Sequence, residues 1–533
     1  MGFATIDYVV FGLYALLIVG IGLWVSREKS GKQKDSKDYF LASKSLPWWA
    51  IGASLIASNI SAEQFIGMSG SGFRLGLAIA TYEWMAAVTL LVVAWFFLPI
   101  FLQKGIYTMP QFLKERYDDR VRTLLAVFWL AVFIFVNLTT VLYLGALAMQ
   151  NIMGVPLFYG MAGLALFSII YSVYGGLKAV AWTDVVQVIF LVGGGLLTTY
   201  IALDAYGGIG KLMDTVGDRF NMILFEGELI FQDDTGADQD AYDLLPGLSV
   251  LIGGMWIANL YYWGTNQYII QRALAAKSIK EAQRGVAFAG YLKLLLPLIV
   301  VIPGIVAYAM QLEDPSSVGI SKADEAYPWL LGEFVPSGLK GLAFAALAAA
   351  IVSSLASMMN SVSTIFTMDL YKPYINKQAS EGQLVTVGRI TAFSAMVIAG
   401  IVAYPLLATS DQVFQDIQNY TGMVSPGVLA VFILGLFWKK ATPNAALVSA
   451  FLSVPLSMAM NAWVPSLPFM NRMGLVFLIS LVLIIAISLI EGKGDDHPKG
   501  LSVNDIKREK DPIFAAAAFG ILIITTLLYV IFW

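Results

Sequence analysis

Ala57-Ser58-Asn59-Ile60-Ser61-Ala62-Glu63-Gln64-Phe65-Ile66-Gly67 interrupts an apolar run, residues 47–70, that is otherwise long enough to cross a bilayer. Hydrocarbon offers no partner to hydroxyls, amides or a carboxylate, so such a cluster needs protein neighbours, water or a ligand. A second cluster of the same character, Ala258-Asn259-Leu260-Tyr261-Tyr262-Trp263-Gly264-Thr265-Asn266-Gln267, lies within residues 247–271. The two become informative once the spans between them are counted.

The chain of 533 residues is 58% hydrophobic and 13% charged, with a mean hydropathy of +0.74. A water-soluble fold could not cover that much apolar surface, so lipid is the expected solvent. About fourteen stretches reach the roughly 20 residues that a helical crossing requires. They run over 6–26, 47–70, 78–103, 121–150, 157–175, 178–203, 247–271, 283–311, 338–370, 384–407, 413–436, 443–463, 472–491 and 513–533. The first lacks a basic leader and has its lysines behind it, so it reads as an uncleaved span.

The expected fold is an all-α membrane protein, a single polytopic domain over 1–533. Runs of this length exclude a barrel of short alternating strands. Lys and Arg gather in loops that follow odd-numbered segments, such as 27–44 and 491–511, whereas the acidic stretch 225–243 follows an even-numbered one. Basic loops stay cytoplasmic, so both termini are expected on the extracytoplasmic side of a bacterial inner membrane.

The polar clusters sit in segments two and seven. An offset of five reverses the direction of crossing, which marks corresponding members of two inverted repeats, 47–203 and 247–436, with 443–533 peripheral. In such folds interrupted helices free backbone carbonyls for a cation and amides for a solute.

Outside the clusters, the costly residues are few. Lys293 lies deep in Gly290-Tyr291-Leu292-Lys293-Leu294-Leu295-Leu296-Pro297, and Pro297 cannot donate to its carbonyl. Glu83 and Asp184 begin segments three and six, and Asp369 falls near the cytoplasmic end of its helix. Segment nine places Ala350, Ser353 and Ser354 at i, i+3 and i+4, so a carbonyl and two hydroxyls share one face. Neutral hard oxygens suit Na⁺, and the lack of a carboxylate among them argues against a proton or a divalent ion.

Other chemistries find little support. There is no cysteine, and the one histidine, His497, lies in a charged loop. Gly210-Lys211 is followed by Leu212 and lacks the spacing of an ATP-binding loop. No nucleophile, base and orienter fall together, so enzymatic activity is not expected. A net charge of −3 gives no reason to expect a nucleic-acid partner.

With these stretches assembled, the sequence resembles the sodium/solute symporter family, and within it the bacterial sodium/galactose (sodium/glucose) cotransporters. The likeness spans essentially the whole chain. It is densest over 57–70, Tyr174-Gly175-Gly176-Leu177 with Ala181-Trp182-Thr183-Asp184-Val185-Val186-Gln187, 258–272, 345–357 and Tyr420-Thr421-Gly422-Met423-Val424-Ser425-Pro426-Gly427. It implies fourteen helices around a five-plus-five inverted-repeat (LeuT-like) core, and inward Na⁺ movement coupled to uptake of a monosaccharide. By the same likeness Gln64, Glu83, Asn259, Lys293 and Gln418 would hydrogen-bond the sugar, with Tyr262 stacked on it as the inner gate. Met68, Tyr82 and Phe414 would close the site from outside. Sodium would take the carbonyls of Ala57, Ile60 and Ala350 with the hydroxyls of Ser353 and Ser354, and Asp184 would stand on its exit route. A sugar-binding serine of the galactose carriers is Ala86 here, and a cavity tyrosine is Phe133. The alternative is the same fold carrying proline, sialic acid or a carboxylate.

Overall fold

The computed structural model describes residues 3–26, 35–232, 236–407, 413–502, 504 and 506–533, apart from the side chains of 171, 173–175, 317 and 413–416. The Phe414 side chain and residues 27–34 of the 27–44 loop therefore lie outside the described part. Among the described residues, twelve helices are long and apolar enough to cross a membrane. The expected count was fourteen. Segment two is absent from the twelve because it is broken, and segment five because only the shorter run Leu157–Ile170 satisfies the criterion.

Segments five and six form one continuous element, Leu157–Tyr206, bent at Gly176, where φ is +66°. A Cβ at Gly176 would lie 2.5 Å from the carbonyl oxygen of Tyr39, so both the backbone conformation and the close approach require glycine. The acidic stretch 225–243 departs from the all-helical expectation. It contains a short antiparallel hairpin, Ile230–Gln232 paired with Asp238–Asp240.

Layering follows apolar coverage. In the most apolar window of Leu339–Ile375, 94% of residues are buried, against 17% for Pro512–Ile531, so the former is central and the latter faces lipid. Leu339–Ile365 packs on Leu157–Tyr206, while Ile279–Glu313 packs on both halves of segment two and on Thr81–Val92. The contact is close at Gly304, where a Cβ would come within 2.0 Å of the Ser69 carbonyl.

Peripheral helices are tied to the centre by charge. The first helix sends the buried carboxylate of Asp7 across to the start of Leu339–Ile365, accepting from the backbone N–H of Gly338 (2.7 Å) and Gly341 (2.8 Å). This caps in trans the helix that carries Ser353 and Ser354. Arg284 grips Asp511 through two hydrogen bonds, 2.6 and 2.9 Å, just ahead of the last helix. Those bonds hold the Asp511 carboxyl below its ordinary range.

Candidate functional site

The break in segment two is written in its own sequence. Trp48–Asn59 is helical, Ile60 is extended (φ −75°, ψ 114°), and the helix resumes at Glu63. Ser61-Ala62-Glu63-Gln64 has the spacing of a capping box. The Ser61 hydroxyl accepts from the Glu63 N–H (3.1 Å), and the Gln64 side-chain oxygen accepts from the Ser61 N–H (2.9 Å). In an uninterrupted helix those two N–H groups would serve the carbonyls of Asn59 and Ala57. Their diversion frees the last carbonyls of Trp48–Asn59 at the point where the chain meets Leu339–Ile365.

Segment seven is broken differently from the expectation. Met255–Thr265 is helical throughout the quoted cluster, and the interruption falls at its end, on Asn266 (φ −76°, ψ 123°), before Gln267–Leu274. Thr265 returns its hydroxyl to the Tyr261 carbonyl (2.7 Å), within the same helix. The two breaks share nearly the same extended conformation.

A cavity of about 880 Å³, its open mouth included, lies among these elements. Gln64, Glu83, Asn259, Lys293, Gln418 and Tyr262 all line it, with Met68 and Tyr82. Ala86 lines it too, presenting a methyl where a hydroxyl was the alternative. Phe133 does not. It is buried behind the wall, edge-on to Tyr268 with ring centroids 5.6 Å apart.

The electrostatic centre is Lys293, whose side chain is 1% exposed. Its ammonium donates to Glu83 and to the Asn59 side-chain oxygen, and stands 5.0 Å from the centroid of Trp263. A buried ammonium requires such a counter-charge and its hydrogen bonds. Asn59 donates through its amide to the Tyr262 hydroxyl (2.9 Å), which is bonded in turn to the Tyr268 hydroxyl. Asn59 thus joins the ion pair to Tyr262 from a position one residue before the helix break. Buried atoms around the cavity, Glu63 Oε1, Asn137 Oδ1, Asn259 Nδ2 and Asn266 Oδ1, find no protein partner among the described residues. Each is a ready contact for a hydroxylated solute or its water.

The second cluster faces the freed carbonyls. Ser354 donates its hydroxyl to the carbonyls of Ser58 (3.0 Å) and Ile60 (3.3 Å), and Ala57 and Ala350 are fully buried in the same two elements. Ser353 donates instead to Asp184 Oδ1 (2.5 Å). The oxygen set is therefore backed by a carboxylate, the one that the resemblance set on the ion's exit route. A proton donated to Asp184 leaves the Ser353 lone pairs directed elsewhere, the arrangement a hydroxyl needs to ligate a cation. Asp369 is buried on the far part of its helix, outside both clusters.

Sequence reasoning passed over Asn59, Glu63, Asn137, Trp263 and Arg272. Asn59, Glu63 and Trp263 were part of the quoted clusters but gave no sign of which face they occupy. Asn137 sits in a largely apolar run, and its place at the cavity depends on the bundle.

Apolar helices enclosing a polar, charge-paired cavity beside a nest of neutral oxygens define a membrane carrier for a small polar solute and an ion. The Sodium:solute symporter family profile matches residues 39–452. The chain is 53% identical to the sodium/glucose cotransporter of Vibrio parahaemolyticus over 551 aligned positions, covering 100% of this chain and 99% of that one. It is 36% identical to the sodium/myo-inositol cotransporter 2 of Mus musculus, covering 85% of this chain and 69% of the relative. A Na⁺-coupled sialic acid symporter, solved in a substrate-bound outward-open state, superposes with a TM-score of 0.79 at 24% identity, covering 91% and 98% of the two chains. The chain belongs to the sodium:solute symporter family. It is a multi-pass membrane transporter of the LeuT-like fold, and sodium is its coupling ion.

Proposed function

We propose that this symporter imports a galactose- or glucose-like monosaccharide across a bacterial inner membrane, with both termini extracytoplasmic and no enzymatic activity. The observation that carries the reading is the single cavity shared by Gln64, Glu83, Asn259, Lys293, Gln418 and Tyr262. A pyranose offers a ring of donors and acceptors around apolar faces. Amides, a carboxylate and an ammonium address the hydroxyls, and the Tyr262 ring addresses a face. The full-length likeness to a relative named for glucose supports the sugar class.

In this reading Met68, Tyr82 and Phe414 close the site outward and Tyr262 closes it inward. Residues 47–203 and 247–436 are the inverted repeats that rock about it. Sodium, as cargo, takes the carbonyls of Ala57, Ile60 and Ala350 and the hydroxyls of Ser353 and Ser354. To ligate it, Ser354 rotates its O–H away from the Ile60 carbonyl, so one ion organises both sides of the break. The capping box bearing Gln64 begins at the next residue, which couples ion occupancy to the sugar wall. Linkage requires each cargo to raise the other's affinity by the same factor. Each inward charge contributes about 2.3 kcal/mol per 100 mV of membrane potential.

Competition against labelled galactose in sodium-loaded assays separates sugar from the other solutes carried on this fold. Unlabelled glucose or galactose is expected to compete, and proline, sialic acid and small carboxylates are not. Competition by an acid with none from hexoses would overturn the sugar assignment.

A further inference from the structure

Behind the hydroxyl pair the protein buries one full charge of each sign, Asp184 and Arg272, neither of them exposed. They meet through a third side chain. The Ser54 hydroxyl donates to Asp184 Oδ2 (2.5 Å) and accepts from Arg272 Nε (3.4 Å). Arg272 donates further to the Ser357 hydroxyl and to the Tyr268 carbonyl. Ser357 is bonded to Ser58 (2.9 Å), whose carbonyl accepts from Ser354. A ring of serines thus connects the guanidinium to both elements of the proposed ion site.

We infer that Arg272 is a tethered cation that competes with sodium for Asp184, and so sets how tightly the ion is held and how readily it leaves inward. The inference rests on the sodium site proposed above, because Ser353, a ligand there, has Asp184 as its other partner. An ion leaving the hydroxyl pair meets that carboxylate next. In a low-dielectric interior an unopposed carboxylate would trap a monovalent cation, and transport requires binding weak enough to release. Guanidinium does not lose its proton in proteins, so this opposing charge is permanent. Its fork is fixed by acceptors on three elements, so the charge stays within reach of Asp184 without neutralising it through a direct bidentate pair. The Tyr268 carbonyl contact also links it to the tyrosine bonded to Tyr262. Arg272 is therefore a positioning residue, acting on the ion through the charge balance it sets with Asp184.

Sodium-dependent galactose uptake by the full chain in proteoliposomes, measured as half-saturating sodium and maximal rate separately, tests this. Arg272→Gln is expected to lower half-saturating sodium about tenfold and to lower the maximal rate, whereas Asp184→Asn raises half-saturating sodium about tenfold. Arg272→Lys, keeping the charge, stays within about threefold of the parent, as does the Asp184→Asn/Arg272→Gln pair. The paired variant leaves no lone buried charge, so it reports even where Arg272→Gln fails to fold: recovery relative to Asp184→Asn supports the inference. Unchanged or raised half-saturating sodium in Arg272→Gln, or a paired variant as weak as Asp184→Asn, overturns it. The Ser353→Ala/Ser354→Ala variant run alongside separates the two readings. Parental sodium dependence there rejects the ion site itself, whatever the arginine series gives.

Discussion

Replacing Lys293 with alanine is expected to weaken galactose binding by at least about a hundredfold and to abolish concentrative uptake. The lysine does two things at once. It is the ammonium paired with Glu83 in the cavity wall, and it ties Asn59, and through it Tyr262, to that pair. Truncation leaves Glu83 buried with an unanswered charge, a defect of about 3–5 kcal/mol where both partners are this enclosed. Part of that cost falls on the protein and part on the sugar, and a second change apportions them. Adding Glu83→Gln to Lys293→Ala removes the orphaned charge, so thermal stability is expected to recover while galactose binding does not. Titration of the detergent-purified protein with galactose reads the second quantity, and a melting curve reads the first. Parental galactose affinity in Lys293→Ala would remove the lysine from the site.

The second large effect is at the hydroxyl pair. Ser353→Ala/Ser354→Ala removes two of five proposed ligands and also strips Asp184 Oδ1 of its donor. The expected outcome is a rise of at least about thirtyfold in half-saturating sodium, and galactose affinity that no longer responds to sodium. The single changes differ in kind. Ser354→Ala loses the contact with the Ile60 carbonyl, whereas Ser353→Ala disturbs the carboxylate behind the site, so the latter is the more damaging to folding. Melting curves of the two single variants check that order, and sodium titrations of uptake read the double variant.

Much of this was readable before any coordinates, and the reasons are local. The polar run 57–67 announced its break because hydroxyls, amides and a carboxylate have no place in a continuous span, and Ser61-Ala62-Glu63-Gln64 even carries the restart signal. Lys293 stood out by cost of burial alone. Ser353 and Ser354 were paired by helical spacing, which needs no tertiary information. What was not readable depends on contacts distant in sequence. The cluster 258–267 looked as interrupted as 57–67, yet its backbone is helical through Thr265, and only the extended backbone of Asn266 breaks it. Asp184 reads as the start of a span, and nothing nearby says that Ser353 and Ser54 will donate to it. Arg272 reads as a basic residue at a cytoplasmic helix end, the usual place for one, until folding buries it against Ser54 and Ser357. Phe133 was placed in the cavity by likeness alone, and the packing of Tyr268 puts it one layer behind.

The two predictions converge on one physical statement. In the proposed mechanism the break after Asn59 is shared: its carbonyl side serves the ion and its capped side the sugar. Sodium-gradient-driven uptake of labelled galactose into proteoliposomes containing only this chain measures that coupling most directly. With sodium high outside, galactose is predicted to accumulate above its external concentration, and to fall back to equilibrium when an ionophore collapses the gradient. Accumulation that persists without a sodium gradient would contradict the account.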